Sequence, residues 1–329
     1  MHVLGISAGT LNGNSEMLLK AALQAVEKER AGVTTSMARI RYMQCPRNGK
    51  PMEKSLVPMI TTFIPGGPGS DDPDDRPKLY EAIMSADAII ISSPVYSHLP
   101  PGYIKSFIDD TLGPGADLAL ALASEEDGKR LGRIPAASID PRLFKPRVSA
   151  FMVVAGSPSE MPEQWTLGLI ALNQSLYSIQ ATTVDQICIP GNGPHGSIFL
   201  HEEDTIGRAQ LLGRRVASQL AKPIDKVEFL GSSEEGSCPY CHLLSISFTK
   251  GTLCNDIMCT TCGARGQLHP IPSGGFMTEW EQSSAVSHLT LAGKRKHIDD
   301  LIKQGEKYHP SRDVQDSYAH WKQTHVRLI

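Results

Sequence analysis

The chain has 329 residues, of which 40% are hydrophobic and 20% are charged, and its net charge at pH 7 is −3. This composition is ordinary for a globular protein with an ample core, and the charge argues against nucleic acid as the main partner, because nucleic-acid-binding surfaces are basic. No apolar run approaches the length of a membrane span, and the N-terminus lacks the pattern of a signal peptide. We therefore expect a cytoplasmic protein with neither a membrane nor a nucleic-acid partner.

The first segment predicts a strand, a loop and a helix. Residues 2–7 are mostly apolar and predict a buried strand, and from residue 14 apolar residues recur at helical spacing, which predicts a helix over residues 14–28. The loop between them is rich in small and hydroxylated residues, and Asn14 or Ser15 is placed to cap the helix. Such a loop favours an anion, since backbone N–H groups and the helix dipole both attract negative charge.

Two common phosphate-binding motifs are absent from this loop. It has neither the Lys of G-x-x-x-x-G-K-[ST] nor the G-x-G-x-x-G fingerprint. Two interpretations remain. The loop either holds one terminal phosphate, such as that of FMN, or is an ordinary capped turn. Gly5-Ile6-Ser7-Ala8-Gly9 also matches the G-x-S-x-G elbow of hydrolases. An elbow turns directly from strand into helix, whereas here the helix starts later, so a hydrolase with Ser7 as nucleophile is kept only as an alternative.

Strand and helix patterns continue to alternate as far as residue 220. Further strands are predicted over residues 33–43, 88–93, 148–155 and 183–189, and further helices over residues 78–85, 102–112, 162–178 and 202–220. Five strands that alternate with helices predict an α/β fold with a doubly wound parallel sheet. Ligands of such sheets bind beyond the carboxyl ends of the strands. Two long loops, at residues 44–76 and 113–146, favour a functional role such as binding a specific organic substrate.

A second informative segment follows the strand at residues 88–93. The strand runs into Pro94, which ends the ladder of hydrogen bonds because proline has no N–H, and the turn then presents Tyr96. The backbone of residues 94–97 is free to meet a flat heterocycle. An ordinary turn with an incidental aromatic residue has the same features.

Together the two segments resemble those of the flavodoxin-like NAD(P)H-dependent FMN reductases and iron–sulfur flavoproteins. The resemblance covers roughly the first two-thirds of the chain and lies in the loop from Ser7 to Ser15, Ala86-Asp87, Ser93-Pro94-Val95-Tyr96 and Lys105-Ser106-Phe107-Ile108-Asp109. It implies a flavodoxin-like five-stranded sheet that binds FMN and uses NAD(P)H as co-substrate. Members with an iron–sulfur cluster carry a compact cysteine motif after the second strand, where this chain has only Cys45, so we expect no such cluster.

The resemblance also assigns residues to the cofactor. The FMN phosphate would be bound by Ser7, Thr10, Asn12, Asn14 and Ser15. The isoalloxazine ring would lie against Pro94, Val95, Tyr96 and Ser97, and its pyrimidine end against Ala155, Gly156 and Ser157. A homo-oligomer is implied as well, because flavin sites of this family often lie near a subunit interface.

The cysteines carry a separate signal. Four of the seven form two C-x-x-C pairs, Cys238 with Cys241 and Cys259 with Cys262. Pairs at this separation predict a closed four-thiolate site for structural zinc, and rubredoxin-like iron fits the same spacing. The sequence therefore divides into a flavodoxin-like domain (residues 1–222), a zinc ribbon (residues 223–272) and a helical tail (residues 273–329).

The function predicted from these features is the reduction of a quinone or another aromatic or organic small molecule by NAD(P)H through FMN, as a tailoring step in biosynthesis or degradation. Tyr96 is the catalytic candidate, as the residue that orients the acceptor. His98 and His195 are candidates for contact with the substrate, and the basic residues 294–297 are candidates for contact with the adenosine phosphate of NADPH. The same residues are also compatible with an ordinary loop histidine or a solvated basic surface. The alternative function is an FMN-binding redox sensor, without fast turnover, whose ribbon docks a partner.

Overall fold

The computed structural model describes residues 1–45, 73–112, 117–119, 121–122, 140–283, 286–307 and 311–324. The two long loops predicted at residues 44–76 and 113–146 lie largely outside these residues. Among the described residues there is no helix with the length and apolar character needed to cross a membrane.

A parallel sheet forms the centre of the first domain. Its five strands are β1 (His2–Ser7), β2 (Thr34–Arg39), β3 (Ala88–Pro94), β4 (Arg147–Val154) and β5 (Ala181–Ile189), in the order β2-β1-β3-β4-β5. β3 and β4 are buried along their whole length, as expected of strands covered on both faces. The strand order reverses between β1 and β3, which are neighbours, so the switch point of the sheet lies between them. The predicted α/β class and flavodoxin-like sheet are confirmed.

Helices cover both faces of this sheet. They are α1 (Asn14–Glu29), α2 (Arg76–Ser85), α3 (Gly102–Thr111), α4 (Leu167–Ser175) and α5 (Arg208–Gln219). α1 and α5 contribute to one apolar cluster, and α2, α3 and α4 to another. α1 and α5 cross closely at Gly213, where a Cβ would lie 2.1 Å from the carbonyl oxygen of Ala22. Only glycine fits this crossing.

Three predicted elements are shorter than the sequence suggested. The strand predicted over residues 33–43 ends at Arg39 and continues as a 3₁₀ turn, Ile40–Tyr42. The helix predicted over residues 162–178 divides into a 3₁₀ turn, Pro162–Gln164, and α4. The helix predicted over residues 202–220 begins as a π-helical turn, Glu203–Gly207, in which the Gly207 N–H donates to the Glu202 carbonyl (2.8 Å). Local turns replace regular ends in all three.

A second, antiparallel sheet follows the first domain. Its strands are β6 (Ile246–Thr252), β7 (Asp256–Cys259), β8 (Arg265–Pro270) and β9 (Phe276–Trp280), paired in sequence order. β9 lies beyond the boundary predicted at residue 272 and pairs with β8 between Gly266–Trp280 and Pro270–Phe276. The start of the predicted helical tail is therefore a strand. Helices α6 (Leu291–Lys307) and α7 (Arg312–Gln323) follow.

Candidate functional site

A cleft of about 200 Å³ opens at the carboxyl end of the parallel sheet. It is lined by Gly9, Thr10, Gly13, Asn14, Ser15, Pro94, Val95, Tyr96, Val154, Gly156, Asn192, Gly193 and His195. The cleft lies at the switch point between β1 and β3, where doubly wound sheets bind ligands. It brings together the two segments that the sequence singled out and adds the loop after β5.

The loop between β1 and α1 leaves the first turn of α1 without a side-chain cap. The N-cap is Gly13, and no side chain of the described residues caps this helix, so the predicted cap by Asn14 or Ser15 is wrong. A Cβ on Gly13 would lie 2.4 Å from Thr10 Oγ1, and one on Gly9 would lie 3.1 Å from Ser15 Cβ. Glycine at both positions lets the loop close on the helix. Uncapped N–H groups with two hydroxyls beside them are donors that suit an anion.

Asn14 is held by the loop after β5. Its Nδ2 donates to the carbonyls of Asn192 (2.9 Å) and Pro194 (2.8 Å) and lies 3.1 Å from Ser197 Oγ, while its Oδ1 accepts from the Gly196 N–H (2.8 Å). The amide thereby ties this loop to α1. The polar atoms of the Asn14 side chain bond to the loop after β5, so only the backbone N–H of Asn14 is left to bind a phosphate as predicted.

Ser7 and Asn12, which were also predicted to bind the phosphate, do not line the cleft. Ser7 is fully buried at the end of β1, and within the described part of the chain its Oγ has no hydrogen-bond partner. A buried hydroxyl without a partner costs on the order of 1–3 kcal/mol. Asn12 is exposed, and its Oδ1 accepts from Lys20 Nζ (3.3 Å). Its side chain is therefore directed along α1.

A buried ion pair lies beside the start of α1. Glu16 is fully buried and accepts from Arg39 Nε (2.9 Å), Arg39 Nη2 (3.1 Å) and Lys20 Nζ (2.7 Å). Burial by itself would raise the pKa of the Glu16 carboxyl, but these cationic donors outweigh it and lower that pKa. Glu16 thus stays ionised and paired, so its charge is balanced next to the proposed anion site.

The turn after β3 forms a second wall of the cleft. Ser97 and His98 adopt left-handed backbone angles, with φ of 49° and 74°. The Tyr96 N–H donates to the Leu99 carbonyl (2.8 Å), and the Leu99 N–H donates back to Tyr96 (3.2 Å). This tight turn leaves the Tyr96 side chain 48% exposed at the cleft. Pro94 and Val95 line the cleft beside it, whereas Ser97 does not.

The third wall is made of backbone. A Cβ on Gly156 would lie 3.3 Å from the Cα of Gly193, and a Cβ on Gly193 would lie equally close to Gly156, so the loops after β4 and β5 touch main chain to main chain. The Asn192 N–H donates to the Ala155 carbonyl, and the Gly191 N–H to the Ser157 carbonyl, both at 2.8 Å. Of the three residues predicted here, Gly156 lines the cleft, whereas Ala155 and Ser157 do not and contact the loop after β5 through their carbonyls.

Two tyrosines outside the cleft brace the β1–α1 loop. Tyr103 Oη donates to the Ala8 carbonyl, and Tyr42 Oη accepts from the Leu11 N–H (2.9 Å). The pKa of Tyr103 is raised, chiefly by burial, so its hydroxyl stays protonated as a donor. Neither tyrosine was predicted from the sequence, because nothing local marks a tyrosine that contacts a distant loop.

His195 is brought to the same loop from the far end of the sheet. Its Nε2 lies 3.1 Å from Thr10 Oγ1, across the cleft mouth. The position of His195 after β5 made it a candidate for substrate contact, but its contact with Thr10 was not predicted. His98, the other histidine considered, does not line the cleft and contacts the Glu163 carbonyl (3.2 Å).

The two cysteine pairs converge as predicted. The Sγ atoms of Cys238, Cys241, Cys259 and Cys262 lie within 4.8 Å of one another, and all four residues are buried. Two of the Sγ–Sγ distances are 3.6 and 3.5 Å, close to the roughly 3.8 Å expected around a tetrahedral ion with Zn–S bonds of about 2.3 Å. Each pair is followed by a residue with left-handed angles, His242 (φ 59°) and Gly263 (φ 81°). The cluster has the donors and the shape of a four-thiolate metal site.

Comparisons with known proteins agree with this architecture. Residues 1–121 match the family of NADPH-dependent FMN reductases. The flavone synthase cfoJ of Aspergillus candidus is 34% identical over 304 residues, which cover 92% of this chain and 88% of that protein. A solved structure of a flavone reductase superposes with a TM-score of 0.73 at 20% identity, covering 100% of this chain and 99% of the other, and so shows the same fold.

The fold and the cleft define a flavodoxin-like flavin oxidoreductase. The chain belongs to the NADPH-dependent FMN reductase family, which confirms the resemblance seen in its sequence motifs. It is therefore an oxidoreductase that depends on NAD(P)H and FMN.

Proposed function

We propose that this enzyme exchanges reducing equivalents between NAD(P)H and a flavone, the flat aryl benzopyranone class named in both relatives. One observation carries the proposal. Similarity to the flavone synthase extends over 92% of the chain, through the ribbon, whereas the match to the FMN reductase family ends at residue 121. The substrate class is therefore taken from the relative that shares the whole architecture.

The described residues fit FMN. Thr10, Ser15 and the uncapped first turn of α1 offer donors to its phosphate. Pro94 and Val95 line the cleft and would lie against its ring. When bound, FMN supplies the hydride exchange, while the protein supplies binding, orientation and exclusion of water.

Tyr96 orients the acceptor in this proposal. Its ring is half exposed at the cleft mouth, where a flat substrate can stack, and its hydroxyl can donate a hydrogen bond to the carbonyl oxygen of a benzopyranone. Such a bond polarises the conjugated double bond that takes up hydride. The one proton that must be added together with the hydride comes from solvent or from this hydroxyl.

The four cysteines would hold a structural zinc ion. Four thiolates crowded into one buried site need a cation to balance their charge, and a closed tetrahedral set suits zinc. The ion would fix the two turns that start and end the β6–β7 region, and it takes no part in the redox step. We further propose that the enzyme works as a cytoplasmic homo-oligomer; size-exclusion chromatography with light scattering giving the mass of a single chain would reject the oligomer.

The test is product analysis. The purified enzyme is incubated under anaerobic conditions in three parallel reactions: NADPH with a flavone, NADP⁺ with a flavanone, and NADPH with a simple quinone. The products are identified by mass spectrometry. We expect interconversion of the flavone and its dihydro form, with a higher kcat/KM than for the quinone. Turnover of the quinone alone would support the general reductase first expected from the sequence. FMN that is bound and reduced slowly, with no acceptor turned over, would support the redox sensor.

A further inference from the structure

His195 is placed where the cofactor phosphate is expected. It lines the cleft, and its Nε2 lies 3.1 Å from Thr10 Oγ1 in the loop that precedes α1. Among the described residues that line the cleft there is no lysine and no arginine. His195 is thus the side chain of this lining that can both donate a hydrogen bond and carry positive charge.

The loop that carries His195 is built to reach α1. Gly191 and Gly196 have φ of 74° and 83°, angles that glycine adopts freely, and they turn the loop back over the helix. The Asn14 side chain, 6% exposed, then bonds to the backbone at Asn192, Pro194 and Gly196. These contacts lie on both sides of His195 along the chain, so they hold the backbone that carries the imidazole.

We propose that His195 is a ligand of the FMN phosphate, acting with Thr10, and that Asn14 is the positioning residue that holds His195 over the start of α1. This inference rests on the proposed function, because it requires FMN as the cofactor. A phosphate monoester carries about 1.5–2 negative charges at pH 7. Hydroxyls and backbone N–H groups offer partial charge only, so an imidazole donor beside them adds a charge-assisted hydrogen bond.

Riboflavin distinguishes a phosphate ligand from any other role of His195. It has the ring and ribityl chain of FMN but no phosphate. A residue that binds the phosphate should affect the affinity for FMN and leave that for riboflavin almost unchanged. A residue that contacts the ring, or that only supports the fold, should affect both alike.

The experiment is a titration of the full-length apoprotein with FMN and, separately, with riboflavin. Binding is measured by the quenching of flavin fluorescence. We expect His195→Ala to weaken FMN binding about tenfold or more, the usual size for one charge-assisted hydrogen bond, and riboflavin binding less than about twofold. His195→Gln keeps a donor without the charge and should fall between wild type and His195→Ala. His201→Ala, an exposed histidine in the next turn, is the control and should change neither affinity.

Asn14 is tested through a double mutant. If Asn14 acts by holding His195, Asn14→Ala should weaken FMN binding selectively, and the double variant should lose no more than His195→Ala alone. Equal losses for FMN and riboflavin, or no loss in His195→Ala and His195→Gln, would overturn the inference. Wild-type protein that binds neither flavin would instead refute the proposed function itself.

Discussion

Gln186 in β5 donates a 2.8 Å hydrogen bond from Nε2 to the carbonyl oxygen of Cys241, one of the four clustered cysteines. The Oε1 of the same amide accepts from Asn173 Nδ2 in α4 (2.7 Å), and both side chains are buried. The cysteine cluster is thus joined to the edge strand and to a helix of the flavin domain by a buried chain of polar contacts. Domain and ribbon share one interior polar network.

Gln186→Leu should destabilise the protein by about 1–3 kcal/mol, because it removes the side-chain donor to the Cys241 carbonyl and one of the two acceptors of the Asn173 amide, which keeps the Leu169 carbonyl. The measurement is the free energy of unfolding from denaturant titration. Gln24→Leu is the matched control, since Gln24 is exposed on α1 and contacts only Lys28 among described residues. If both variants unfold at the same denaturant concentration, the polar connection contributes nothing to stability.

Cys259→Ser should abolish zinc binding and lower the melting temperature, since three thiolates do not close a tetrahedral structural site. Elemental analysis of wild type should give about one zinc per chain. Cys254→Ser is the control, because Cys254 is a half-buried cysteine outside the cluster, and it should keep the metal. Iron in the wild type would support the rubredoxin-like alternative, and the absence of any metal would refute the site.

Tyr96→Phe should lower kcat with the aromatic acceptor about tenfold or more, because it removes the hydroxyl and keeps the ring. The rate of flavin reduction by NADPH and the affinity for FMN should stay near wild type. Tyr318→Phe, on the exposed face of α7, serves as the control. Unchanged acceptor turnover in Tyr96→Phe would limit the role of this residue to stacking.

Ser7→Ala separates the flavin interpretation from the hydrolase alternative. The apoprotein should be as stable as wild type or slightly more stable, since the change removes a buried hydroxyl without a described partner. Retention of FMN during dialysis should match that of wild type and of Ser218→Ala on α5, because Ser7 is fully buried and does not line the cleft. An esterase activity that wild type shows and Ser7→Ala loses, with flavin binding intact, would favour the hydrolase.

Lys294 predicts a pH dependence of stability. It is buried in α6, where its Nζ donates to the carbonyls of Tyr177 and of His288 (3.0 Å), and burial lowers its pKa to about 8. Between that value and the unfolded lysine value of about 10.4, the unfolded chain binds more protons than the folded one, so this residue makes stability rise with pH in that window. The free energy of unfolding of wild type should therefore rise relative to Lys294→Met between about pH 8 and 10.4. Parallel pH curves would contradict the assignment.

The sequence predicted the elements whose signals are local. The apolar run at Ala88–Ile91 and the two C-x-x-C pairs were informative because strand burial and metal ligation depend on spacing within a few residues. β9 was missed because the ribbon boundary was placed at residue 272, within the turn between β8 and β9, where Gly274 and Gly275 have φ of 82° and 111°.

The site was harder to predict than the fold, because its contacts join distant parts of the chain. Asn14 was assigned to the phosphate by the family resemblance, whereas its amide contacts lie on residues 192–197. His195 likewise meets Thr10 only through the folded sheet. Patterns in a single sequence locate such loops but do not show which loops contact each other in the folded protein.

The central claim is that the enzyme exchanges reducing equivalents between NAD(P)H and a flavone through FMN. The most direct measurement is the visible spectrum of the flavin-loaded protein during anaerobic addition of NADPH and then of a flavone. We predict that NADPH bleaches the oxidised-flavin bands and that the flavone restores them, with the dihydro product formed in equal amount. Bands that persist with NADPH, or that stay bleached after the flavone is added, would contradict the claim.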